Sequence, residues 1–278
     1  MKIKYLGTAA AECIPAVFCE CEVCKRAKER GGKEIRRRHG YLIDDDTMVD
    51  FGPDAVWQSF EFGIDLTKLK RIIFTHPHAD HLNAMDLAWR HDGYSIVNHD
   101  ITIFGSFHLF NVIARITAAN LVTYDIRKEL KLNIIEMGMF EEKSDGDVSV
   151  KMLRANHAPG IGAQLPIIRR NGKSFLVAHD TGMFGDDTWE ALKGEKLDGV
   201  SLECTCAFQY PDLPGGHMGI HNTVQTRDRL LEMGCITEKT PVVVTHFSHN
   251  GQANHDRLCE YFEPKGIQVA YDGKELEI

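Results

Sequence analysis

The chain has 278 residues, with 40 acidic against 32 basic side chains, a formal net charge of -8, 43% hydrophobic and 26% charged residues. These proportions exclude a disordered chain, a collagen-like fibre and a disulfide-stapled miniprotein, and they suit one α/β unit with a large core. The acidic balance argues against a broad nucleic-acid footprint, which needs clustered Lys and Arg to displace counterions. The one basic run, Arg36-Arg37-Arg38, reads as a solvated turn.

From the N-terminus, Met1 to Gly7 alternates as a short strand over 3–6 and shows none of the features of a signal peptide. No apolar run approaches the roughly 18 residues needed to span a bilayer, so a cytoplasmic protein without membrane contact is expected. Eight cysteines then read as reduced thiols or metal ligands. Three of them, Cys19, Cys21 and Cys24, crowd into a loop whose glycine-rich and charged flanks are not expected to order by themselves. Three thiolates call for a fourth ligand to close a tetrahedral zinc site. Further strands are expected at 48–50, 71–75, 101–104, 148–153, 174–177, 199–202 and 242–245. Helices with spacing near 3.6 are expected at 54–62, 82–90, 109–119, 187–192, 223–233 and 254–262. The polar stretch 141–146 reads as a turn between strands. With no internal repeat, low-complexity tract or Pro/Ser-rich linker, the expected organisation is one domain over 1–278 with a zinc-binding loop insertion at about 12–38.

Segments rich in His, Asp or Gly repeatedly follow the strands: His76-Pro77-His78-Ala79-Asp80-His81, Ala155-Asn156-His157, His179-Asp180-Thr181-Gly182, and His246. Loops at strand ends are where α/β scaffolds hold chemistry, and four such ends with ligand-type side chains point to one cleft. In the first loop, alternation sends His76 and His78 to one side. The turn into the next helix lets Asp80 and His81 reach a second point nearby. Imidazole with carboxylate suits Zn, Mn or Fe, and two ions about 3.5 Å apart can clamp the attacking and leaving oxygens of a displacement. His157 has a plain turn residue as its alternative reading, and Asp180 competes with His179. In Thr245-His246-Phe247-Ser248-His249, the spare imidazole of His249 is the expected fourth ligand of the thiol cluster. The alternatives there are free thiols or a site using Cys13. Cys204 and Cys206 read as buried strand-end thiols, and Cys235 and Cys259 as packing residues.

The pattern Thr75-His76-x-His78-x-Asp80-His81 after a strand, then a single His, then an Asp in a D-T-G turn, then Thr245-His246, resembles the metallo-β-lactamase superfamily of binuclear hydrolases. The resemblance runs from Leu69 to His249 and implies an αβ/βα sandwich, two mixed β-sheets packed face to face with helices outside. It further implies two divalent catalytic ions, one on His76, His78 and His157, the other on Asp80, His81 and His246, with Asp180 bridging. Asp50 would steady the histidine loop by hydrogen bonds. The Cys-x-Cys-x-x-Cys loop paired with His249 resembles the PhnP-type branch, the phosphoribosyl cyclic phosphodiesterases. PqqB-like proteins share the thiol loop but with an incomplete metal motif.

In the PhnP-type branch a His in a Gly-His-Met setting is an active-site acid, which gives that role to His217, with His221 as runner-up. The implied activity is metal-dependent hydrolysis of a small cyclic phosphodiester, of the phosphoribosyl 1,2-cyclic phosphate kind, to a phosphomonoester. It would use Mn, Zn or Fe at the catalytic pair, Asp80 among the catalytic ligands, and one structural Zn. A lactonase or thioesterase, a tRNA-processing nuclease and a non-catalytic metal or ligand sensor are the alternatives, and a homodimer is left open. Residues 91–147 hold no phosphate-binding glycine loop and no basic cluster, so recognition of a remote substrate phosphate is also left open.

Overall fold

The computed structural model describes residues 1–213 and 215–278. Its strands are β1 (Lys2–Gly7), β2 (Gly40–Ile43), β3 (Thr47–Val49), β4 (Arg71–Ile73), β5 (Ile101–Gly105), β6 (Leu132–Glu136), β7 (Glu142–Asp145), β8 (Val148–Arg154), β9 (Gln164–Arg170), β10 (Lys173–Ala178), β11 (Gly199–Glu203), β12 (Val242–Thr245), β13 (Ile267–Val269) and β14 (Glu275–Glu277). The α-helices are α1 (Glu22–Arg30), α2 (Ala55–Phe62), α3 (Ala84–Ala88), α4 (Phe107–Thr117), α5 (Ile126–Glu129), α6 (Asp186–Leu192), α7 (Ile220–Glu232) and α8 (His255–Phe262). Two seven-stranded sheets form, in the orders β14-β1-β2-β3-β4-β5-β6 and β13-β12-β11-β10-β9-β8-β7. Strands β3 to β6 and β10 to β13 run parallel, and the remaining neighbours pair antiparallel. Among the described residues no helix is long and apolar enough to cross a membrane.

Period-two alternation sorts the strand side chains into layers. Val148, Val150 and Met152 of β8, Phe175 and Val177 of β10 and Val243 of β12 meet Ile3, Tyr5, Ile43 and Ile73 between the sheets. Their alternates, Leu176, Val242 and Val244, face outward onto Trp189, Leu230, Leu258 and Phe262 of the helices. On the other sheet Leu42, Met48, Ile72 and Ile103 face outward onto Leu87, Leu109, Phe110 and Ile113. Strands covered on both faces must be apolar throughout, which is why the parallel ones read as continuous hydrophobic runs. The result is the αβ/βα sandwich of two mixed sheets.

One local expectation is corrected. The stretch 141–146 is not a turn: Glu142–Asp145 forms β7, an edge strand paired with β8. Its side chains are largely exposed and give no apolar pattern, and the turn falls instead at Gly146, with φ 57°. The flank of the thiol loop is helical, as α1, with Cys24 and Ala27, three residues apart, turned inward and Gly31 closing the helix at φ 63°.

The functional loops leave β4, β8, β10, β11 and β12. Asp50, Asp180 and His246 all adopt left-handed backbone, with φ of 59°, 49° and 58°. Non-glycine residues take that conformation at a cost, and it persists where the surrounding structure over-determines it, as at active sites.

Candidate metal centre

The loop after β4 is fixed from beneath by Asp50. Its Oδ1 accepts the Thr75 N–H at 2.9 Å, and its Oδ2 accepts from the Thr75 hydroxyl at 3.0 Å, from His81 Nδ1 at 2.7 Å and from His179 Nε2 at 3.0 Å. The same logic sets the other rings. Thr75 Oγ1 engages His76 Nδ1 at 3.0 Å, the Gly216 carbonyl accepts from His157 Nδ1 at 3.1 Å, and Thr205 Oγ1 engages His246 Nδ1 at 2.8 Å. With each Nδ1 tied, the Nε2 lone pairs of His76, His81, His157 and His246 are free to ligate, the arrangement in which outer partners choose the tautomer.

These lone pairs converge in two groups. His78 Nδ1 lies 2.9 Å from His76 Nε2 and 3.3 Å from His157 Nε2, and Asp180 Oδ1 lies 3.6 Å from His157 Nε2. On the other side His81 Nε2 lies 3.0 Å from Asp80 Oδ2, while Asp180 Oδ2 lies 2.8 Å from His81 Nε2 and 2.9 Å from His246 Nε2. Atoms bound to one tetrahedral ion at about 2.1 Å sit roughly 3.4 Å apart, so both groups have the dimensions of an ion site, and Asp180 turns one oxygen to each.

The buried atoms themselves ask for cations. His81 Nε2, His246 Nε2 and Asp180 Oδ2 are buried and face one another at 2.8 and 2.9 Å without hydrogen-bond geometry among the described residues, an arrangement that costs free energy unless something else satisfies them. Burial disfavours the Asp180 anion, but His246 and His81 hold its carboxyl well below the usual range. Burial also opposes charge on His81, and the carboxylates of Asp180, Asp50 and Asp80 overcome it and push its pKa well up. Three carboxylates around one imidazole demand positive charge, which a divalent ion supplies. Burial pushes His76 and His157 down, keeping them in the neutral form that ligates.

A cavity of about 320 Å³ opens over this floor, and His217 lies in its wall. His217 Nδ1 is 3.1 and 3.2 Å from the two oxygens of Glu203. Glu203 is completely buried at the end of β11 and also accepts from Thr181 N–H at 2.5 Å, Thr205 Oγ1 at 2.5 Å and Met218 N–H at 3.1 Å. Burial alone would lower the His217 pKa, but Glu203, then Asp180 and Asp80, push it up to about 9. His221, the runner-up, is outside the cavity lining and pairs with Asp212 at 2.9 Å. Glu203 escaped the sequence reading, although the signal was there: it is an acidic residue ending an apolar strand, like the other strand-end ligands.

The structure brings the thiol loop and His249 together. Cys19 Sγ and Cys21 Sγ lie 3.5 and 3.6 Å from His249 Nδ1, and Cys24 completes a group that could hold an ion. Cys13 faces Asp54 instead, at 3.6 Å. Cys204 is buried as expected, whereas Cys206 is half-buried and lines the cavity.

A family model described as a beta-lactamase superfamily domain matches residues 46–247. No curated protein matches the chain. Among solved structures, the fold is similar to that of a diphosphatase from the PhnP family, at 20% identity and TM-score 0.72, over 100% of this chain and 96% of that one. It is similar to zinc-bound PqqB from Methylobacterium extorquens at 15% identity and TM-score 0.72, over 100% of both chains. It is also similar to human tRNase Z, short form, at 17% identity and TM-score 0.65, over 100% of this chain and 99% of that one.

Proposed function

Because the chain belongs to the beta-lactamase superfamily, we propose that it is a metal-dependent phosphoric diester hydrolase acting on a small cyclic phosphodiester of the ribose 1,2-cyclic phosphate type. In this reading His76, His78 and His157 hold one divalent ion, Asp80, His81 and His246 hold the other, and Asp180 bridges. Cys19, Cys21, Cys24 and His249 hold a structural zinc in the loop at about 12–38 of a single domain spanning the chain. The observation that carries the reading is Asp180 facing two separate imidazole groups beneath a cavity whose wall presents His217.

Two ions of Zn, Mn or Fe held there would acidify a water and neutralise phosphoryl oxygens in an in-line displacement. The protein's own groups do the rest. Glu203 occupies His217 Nδ1, leaving Nε2–H to protonate the departing sugar oxygen, while the raised pKa keeps that proton available at neutral pH. The product is a phosphomonoester. A screen of metal-reconstituted protein against ribose 1,2-cyclic phosphate, 2′,3′-cyclic nucleotides, bis(p-nitrophenyl) phosphate and lactones tests this. Activity confined to lactones would move the function to a carbon-centred hydrolase.

Two further outcomes are expected. Asp50→Ala removes the carboxylate that orients His81 and Thr75, so metal affinity should fall about 10- to 100-fold in competition with a chromophoric chelator. Unchanged affinity would mean that the loop holds its shape without Asp50. Cys21→Ser should release one zinc equivalent and lower the melting temperature by at least about 5 °C, because zinc binding contributes to folding there. Unchanged zinc content would remove the structural site.

A further inference from the structure

The walls of the cavity differ from its floor. Among the described residues that line it there is no lysine or arginine, and apart from the floor and the His217 imidazolium the one formal charge in the lining is Glu12. Around Glu12 stand Cys206, Tyr210, Ser248 and Asn250, all hydrogen-bonding or aromatic groups. The guanidinium groups near the rim are engaged elsewhere. Arg38 donates to the Ala11 carbonyl and pairs with Asp54. Arg154 lies in the neighbouring cavity beyond His157, where Asp187 holds its Nε at 2.7 Å and Phe140 lies beside it.

Glu12 is built into place. Ser248 Oγ and Asn250 Nδ2 both donate to its Oε1, each at 3.2 Å, and Oε2 takes no protein hydrogen bond among the described residues. The chain just before it is stitched to the loop carrying His246, since Ala10 N–H donates to the Phe247 carbonyl at 2.9 Å. The free oxygen therefore keeps a fixed position relative to the floor.

We propose that Glu12 sets the substrate class: it accepts hydrogen bonds from the hydroxyls of an uncharged sugar or nucleoside moiety and excludes a substrate that carries a second phosphate. This rests on the phosphodiesterase reading of the floor. An ionised carboxylate is a pure acceptor, which suits a diol. The same chemistry lets an acidic side chain read a ribose hydroxyl in dinucleotide-binding folds, where an arginine is needed to accept a phosphate instead. A phosphate held about 5 Å from Glu12, in a wall that supplies no lysine or arginine, meets repulsion worth at least about tenfold in affinity even at a surface-like dielectric. Tyr210, exposed on the rim, offers a ring face to the sugar or base.

Calorimetric binding of ribose 1-phosphate and ribose 1,5-bisphosphate to the metal-loaded protein tests this without requiring turnover. The monophosphate should bind at least about tenfold tighter, Glu12→Gln should bring the two within about threefold, and Glu12→Lys should invert the order. Gln keeps the size of the side chain and an oxygen for Ser248 and Asn250, so its fold is retained. Equal or tighter binding of the bisphosphate by the unaltered protein, discrimination unchanged in Glu12→Gln, or no binding of either compound overturns the proposal. Discrimination by Glu12 in a protein that hydrolyses no cyclic phosphodiester would leave this assignment standing while the phosphodiesterase reading fell.

Discussion

Asp180→Ala is expected to empty both catalytic ion sites and to lower turnover by at least about a thousandfold, since the charge stabilisation such ions supply is worth several kcal/mol at roughly 1.4 kcal/mol per factor of ten. Asp180 is the carboxylate shared by the two groups, with Oδ1 towards His157 and Oδ2 towards His81 and His246. Asp80→Ala is the contrast: Asp80 faces only the His81 side, so that variant should lose mainly the second ion. Because residue 180 sits at φ 49°, alanine adds backbone strain, and Asp180→Asn, which tolerates left-handed backbone, separates loss of the ligand from loss of the fold. Metal content by mass spectrometry beside kcat decides the matter. Two equivalents retained in both alanine variants would show that these carboxylates do not ligate.

His217→Ala should lose about 10² to 10⁴ in rate on a cyclic sugar phosphate, the usual contribution of a general acid, and much less on bis(p-nitrophenyl) phosphate, with metal content intact. A sugar hydroxyl is a poor leaving group and needs the proton, whereas p-nitrophenolate departs without it. Equal losses on both substrates would make His217 a phosphate ligand. The pH profile adds a second readout. Glu203 holds the pKa of His217 up, and the acid form is lost as pH rises through that pKa, giving an alkaline limb in kcat/KM. Glu203 is the largest influence raising that pKa against burial, so Glu203→Gln should move the limb to lower pH by about one unit or more. By linkage the His217–Glu203 pair also stabilises the fold fully below about pH 6.5, and that contribution is lost as pH rises through about 9. An alkaline limb unmoved in Glu203→Gln would assign it to another group.

The candidate ligands were legible because their chemistry is local. Three imidazoles and a carboxylate within His76 to His81, directly after an apolar strand, have few structural reasons to coexist, and the Asp-Thr-Gly and Thr-His strand ends repeat the theme. The sheets were legible where strands are covered on both faces, as in Val242–Thr245, since double burial leaves a continuous apolar run. Edge strand β7 was not, because a strand exposed along its length is held by ladder hydrogen bonds and carries no hydrophobic signature.

Residue types therefore marked, without coordinates, a ligand-rich cleft at the strand ends and a thiol-rich loop, while the sandwich architecture and the division of the candidate ligands into two groups came from the family resemblance those motifs carry. What only the tertiary structure decided is how distant segments complete one another. Glu203 and His217 are fourteen residues apart in sequence, and Glu12 and Asn250 are 238 apart, yet each pair shares a hydrogen bond at the same cavity. Asp50 reaches His179 across 129 residues. A carboxylate's role depends on which charge or donor lies within about 3 Å of it, and burial magnifies that dependence. Sequence spacing records neither the partner nor the burial, so the acid's backing group and the charge of the substrate wall emerge only once the two sheets have packed.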